Sequence, residues 1–172
     1  MHQQGFSLIE LLMGLTIIGI VLHLISPAFA TLTESMHREE AAKSIIHGIR
    51  SARTLAITHH QTVVIHGIDG DWGRGWRIIF DVSGKGAGDP DNPVVTEQAS
   101  ATGVKVVGNW WVRRHIRFDE LGMPHASTKA FNSGTLFVCD AREPLSWLQV
   151  VVAASGRTRL ANDKTEQALC DK

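Results

Sequence analysis

Residues 6–30 read FSLIELLMGLTIIGIVLHLISPAFA, a 25-residue stretch that limits what this chain can fold into more than any other feature. As a helix rising about 1.5 Å per residue it would extend roughly 37 Å. That is enough to span a bilayer core of roughly 30 Å. Between Leu11 and Ile25 the only polar side chains are Thr16 and His23, so the hydrophobic content of 44% is concentrated at one end and the remainder is more polar. A secretory signal is the rival reading, with the segment PAFA at 27–30 as its small-residue exit. Glu10 argues against it, because a carboxylate inside an apolar run costs free energy that neither a signal nor a plain anchor recovers. A wet, interfacial Glu10 is the simpler alternative. His23 falls near the far face of such a span and reads as a neutral interfacial ring. Pro27 has no N–H to donate, so a kink or a melted turn is expected beside Ile25 and Ser26.

Beyond Pro27 the pattern turns amphipathic. Ala41, Ala42, Ile45, Ile46, Ile49, Ala52, Leu55 and Ala56 recur at three- and four-residue spacing, with Glu39, Glu40, Lys43, Arg50 and Arg53 between them. One helix from about 6 to 58 follows, its second half laying an apolar stripe on a globular domain. His59 and His60 end it, read as cations at the helix C-terminus or, alternatively, as metal ligands. Short β-like runs then alternate with turn residues, at 62–65, 75–81, 94–98, 104–107, 116–119, 135–139 and 148–153. The class is α+β, a long N-terminal helix packed on an antiparallel β-rich head. The expected divisions are a leader at 1–5, a membrane half-helix at 6–30, an amphipathic half-helix at 31–60 and the head at 61–172.

The loop SGKGAGDPDNP at 83–93 has neither EF-hand order nor dinucleotide-binding glycine spacing, and it reads as a solvated turn. H-E-x-x-H and G-x-S-x-G are both missing, and Cys139 has no evident base. No enzyme, cofactor or metal site is expected. With 17 basic and 17 acidic residues the chain has zero formal net charge, which excludes a global basic field. Any nucleic-acid contact would have to be local.

The stretch Gly5-Phe6-Ser7-Leu8-Ile9-Glu10-Leu11-Leu12, followed by Pro27, closely resembles the class III signal of type IV pilins and type II secretion pseudopilins. The resemblance implies that prepilin peptidase cuts after Gly5 and methylates Phe6. It also implies that Glu10 faces the freed amine of a neighbouring subunit during filament assembly, a pairing that makes a buried carboxylate tolerable. The leader MHQQG carries no Lys or Arg, leaving only the terminal amine and His2 as cations. Further along, RTLA at 53–56, FDELG at 118–122, GTLFVCD at 134–140 and LQVVVAASGRTR at 148–159 resemble the FimT/GspH group of minor pilins. That likeness covers nearly the whole chain and implies a protruding helix with a compact head.

The expected function is that of a non-catalytic minor pilin of a type IV pilus. It would sit in the inner membrane with its N-terminus cytoplasmic and its head periplasmic, partnered by other pilins and by prepilin peptidase. The alternatives are the minor pseudopilin H of type II secretion and a DNA-binding minor pilin for natural transformation. In a periplasmic head, Cys139 and Cys170 would meet an oxidising compartment and form a disulfide, the alternative being two reduced thiols. In the FimT-like pilins of competent bacteria, a closing G-R-x-R contacts DNA, which Arg157 and Arg159 match. Ordinary surface arginines paired with Asp163 or Glu166 are the competing reading. Trp110, Trp111, Arg113, Arg114 and Arg117 interleave aromatics with cations as single-strand binders do, or form a core or subunit contact.

Overall fold

A computed structural model describes residues 8–125, 133–141 and 143–171, except for the side chains of 24–28. These residues fall into two compact units divided between Met36 and His37. The first unit is helical, the opening part of α1 (Leu8–His59). Its large apolar side chains from Leu8 to Leu22 are 45–77% exposed. The helix is assigned without interruption through 24–28, so the turn expected beside Ile25 and Ser26 does not melt. Thr16 and Thr33 turn their hydroxyls inward to donate to the carbonyls of Leu12 and Phe29, keeping these polar groups satisfied inside an apolar helix.

The second unit holds the rest of α1 and ten strands. Ala42, Ile45, Ile49, Ala52 and Ala56 are all buried, so the three- and four-residue spacing becomes one packed stripe. Gly48 lies on that stripe because a Cβ there would come within 2.7 Å of the Trp76 ring. The missing side chain lets helix and sheet approach, and Trp76 then donates its indole N–H to Ser44 Oγ at 3.0 Å. The helix closes at His59, whose ring meets Phe80 edge-on at 5.1 Å. His60 turns into the left-handed region at φ 49, so the chain leaves the helix there.

The first sheet runs β3-β2-β1-β5-β6, with β1 (Val63–Ile68), β2 (Asp71–Phe80), β3 (Val94–Ala99), β5 (His115–Phe118) and β6 (Pro124–His125). The second comprises β4 (Val106–Gly108), β7 (Ser133–Cys139), β8 (Leu145–Ala153), β9 (Thr158–Ala161) and β10 (Thr165–Glu166). Here β10-β8-β7-β4 form the path and β9 also pairs with β8. All described pairings are antiparallel. Asp69 and Gly70 both have positive φ, 52 and 78, and together they make the two-residue turn that reverses β1 into β2. Val63, Ile65, Ile78, Phe118, Leu136, Val138, Val150 and Val152 complete one core with the helix stripe.

The 83–93 loop differs from the solvated turn expected. Asn92 is buried and organises it, accepting from the N–H groups of Val82 and Ser83 and donating to Gly86 O at 3.0 Å. Its amide also donates to Asp81, whose buried carboxylate is ion-paired with Arg117. The aspartates exposed around this loop therefore decorate a turn that is held from inside.

Candidate functional site

Gly5 and Phe6, the expected cleavage and methylation positions, lie outside the described residues, as does the Pro27 side chain. Glu10 occupies the first turn of α1 and is exposed among exposed leucines and isoleucines. An acidic group near a helix N-terminus is favoured by the backbone dipole. The same turn therefore tolerates the charge while the surrounding surface asks to be covered by something apolar. No helix among the described residues is long and apolar enough to cross a membrane.

Cys139 and Cys170 are joined in a disulfide with Cα atoms 5.6 Å apart. It ties the end of β7 to a terminal 3-10 turn (Ala168–Asp171), and Lys105 strengthens the tie by donating Nζ to Cys170 O at 2.7 Å. Close by, Asp140 accepts from the Trp147 indole at 2.9 Å and pairs with Arg38 of α1 at 3.3 Å. Arg38 and Lys164 both stand over the Trp147 ring, at 5.5 and 4.5 Å from its centroid.

Arg157 and Arg159 flank Thr158 at the start of β9, and both side chains are exposed. Neither forms an ion pair among the described residues, so the alternative pairing with Asp163 or Glu166 is not made there. Two helix arginines hold this corner from beneath. Arg50 donates from Nε to Thr158 Oγ1 at 3.0 Å, and Arg53 donates from Nε to Gly122 O at 3.1 Å. Gly156 sits at φ 75, where an added Cβ would lie 2.7 Å from Gly122 O. The three segments 53–56, 118–122 and 155–159 thus meet at one point, and that contact aims Arg157 outward. Arg50 and Arg53 were missed as anchors because helix arginines outside an apolar stripe look like solvent-facing charges. Their signal would have been two inward-reaching arginines one turn apart.

The aromatic and basic segment is divided by the fold. A 3-10 turn (Trp110–Val112) leaves Trp110 66% exposed, with Trp111 edge-on to it at 4.8 Å. Arg113 and Arg114 are exposed, whereas Arg117 is taken up by Asp81 and by Gly84 O. Among the described residues no group of three or more His, Cys, Asp or Glu is placed to hold a metal ion.

Comparison with known proteins gives these surfaces a context. The family model described as type II transport protein GspH matches residues 41–156, about two thirds of the chain. The prokaryotic N-terminal methylation motif matches residues 1–26. Among solved structures, the type IV minor pilin FimU of Pseudomonas aeruginosa has the same fold in its P21 crystal form, with a TM-score of 0.61 at 20% identity. That match covers 81% of this chain and 98% of FimU. The P65 form gives a TM-score of 0.59, also at 20% identity, covering 77% and 98%. No curated protein matches the chain. Pilins and pseudopilins of this kind are structural filament subunits and not enzymes. A methylation motif leading into a helix that packs on antiparallel sheets, under a matching family model, makes the chain a pilin-like member of the GspH family.

Proposed function

We propose that this protein is a minor pilin of a type IV pilus, anchored in the inner membrane by its N-terminal helix before it enters the filament. The observation that carries this reading is the exposed apolar surface from Leu8 to Leu22 with Glu10 inside it, continuous with a methylation motif at 1–26. Such a surface is unstable in water at roughly 25 cal/mol per Å² of apolar area. Lipid covers it in the monomer, and neighbouring helices cover it in the filament. Glu10 then has a specific partner in the methylated amine of Phe6 on an adjacent subunit, formed when Gly5 is removed by prepilin peptidase. Replacing Glu10 with Ala removes one member of a desolvated pair and makes the segment more apolar. Membrane recovery should be unchanged while incorporation with the other minor pilins falls at least about tenfold. Equal incorporation of Glu10→Ala in a co-purification would reject the role.

Two observations favour other readings of the same subunit design. The matched family model is that of a type II transport protein, which supports the minor pseudopilin H of type II secretion. Arg157 and Arg159 are exposed and free of ion pairs among the described residues, which supports DNA capture. Arginine forks donate bidentately to phosphate, and binding by so few cations would be weak and steeply salt-dependent. In a gel-shift assay with the detergent-solubilised chain, Arg157→Ala with Arg159→Ala should abolish a low-salt shift. A double variant that binds as the parent does returns both arginines to the surface-charge reading.

A further inference from the structure

A groove of about 660 Å³ opens between the β1–β2 hairpin, β5 and the glycine loop at 84–88. Four side chains that are cationic at neutral pH line it: Arg77, Lys85, Arg114 and Arg117. Two of them are already compensated, Arg77 by Glu97 at 2.6 Å and Arg117 by buried Asp81. Asp69 is the single carboxylate in the lining, and Arg74 neutralises it at 2.6 Å. Lys85 feels the Asp89 carboxylate but makes no direct ion pair among the described residues, and Arg114 makes none, so both project positive charge into the groove.

His66 and His115 stand directly opposite each other across β1 and β5 and also face this groove. The Gly67 carbonyl lies 3.0 Å from His66 Nδ1, which therefore carries the proton and donates it. Arg114 and His115 continue into a shallower cleft of about 220 Å³ walled by Trp110 and Trp111. Two cations without a direct ion pair and an imidazole on one concave surface make a site for a tetrahedral oxyanion, because planar forks and N–H donors match its oxygens.

We propose that this groove binds a phosphate group, with Arg114 and Lys85 as its charged ligands and His115 as a neighbouring donor. The ligand is a free phosphate or the phosphate of a small ester, and the Trp110 ledge is positioned to cover the ester's organic part. This site is separate from the Arg157–Arg159 corner and rests on none of the filament readings.

His115 is the reporter. Desolvation by its neighbours, then His66 and Arg114, hold its imidazole below the ordinary histidine value. A phosphate dianion beside it reverses the local field. The test follows the His115 ring by NMR in the full chain held in non-ionic detergent, titrating inorganic phosphate and, separately, glycerol phosphate at constant ionic strength. Saturable binding should raise the His115 pKa. Arg114→Ala should weaken both ligands about tenfold or more. Lys43→Ala, on a residue that does not line the groove, should change neither. Tighter binding of glycerol phosphate would assign the ester as ligand, and equal binding the free anion. A shift reproduced by sodium chloride at the same ionic strength, or an Arg114→Ala variant that still folds and binds as the parent does, would overturn the proposal.

Discussion

Gly156 shows how single positions set the functional surface. Its φ of 75 and the 2.7 Å approach of Gly122 O to a would-be Cβ leave no room for a side chain. Backbone on both sides of that contact cannot swing away as a flexible side chain could. Gly156→Ala should therefore lower stability by about 1–3 kcal/mol and loosen the corner that presents Arg157. Chemical denaturation of the parent and variant in the same detergent checks this, and equal midpoints would contradict it. The sequence showed Arg157 and Arg159 as a pair on alternate residues. It did not show that Arg50 and Arg53 grip the same corner through Thr158 and Gly122, because those contacts join positions about 70 to 110 residues apart. Long-range polar contacts leave no periodicity to read.

Among the elements, the strands with strong apolar alternation were the legible ones. Each of the seven expected runs overlaps a strand, the 104–107 run only at Val106 and Val107, and the helix ends within a residue of its expected end. The strands β6, β9 and β10 were not foreseen as separate elements, being two to four residues long and held by pairing rather than by apolar content. β2 begins at Asp71, four residues earlier than expected, because the Asp69–Gly70 turn reverses the chain there. The disulfide belongs to this scale, since it staples the last turn to β7 across a separation of 31 residues. Replacing Cys139 and Cys170 by Ser should cost about 3.5 kcal/mol, mainly by freeing the unfolded chain. At about 2–4 °C per kcal/mol, the thermal midpoint should fall by roughly 10 °C. An unchanged midpoint would mean that the terminal turn is held by Lys105 and packing without help from the bond.

At the scale of the whole molecule, the N-terminal helix and the β-rich remainder were visible as a change of period. Helical spacing gave way to alternation near His60. The arrangement into two sheets was not legible, because strand order depends on which edges meet and not on the runs themselves. The basic groove was hidden for the same reason: Arg77, Lys85, Arg114 and Arg117 lie on separate segments that only the sheet brings together. What the sequence carried most directly was Gly5, Phe6 and Glu10 at the head of an apolar helix, and the role as a processed filament subunit depends on them. The most direct test is intact-mass and N-terminal peptide analysis of the chain purified from a host with active prepilin peptidase. The account predicts a mature protein beginning at Phe6 with a methylated amine. A chain that still begins at Met1, or one cut after Ala30, would contradict it.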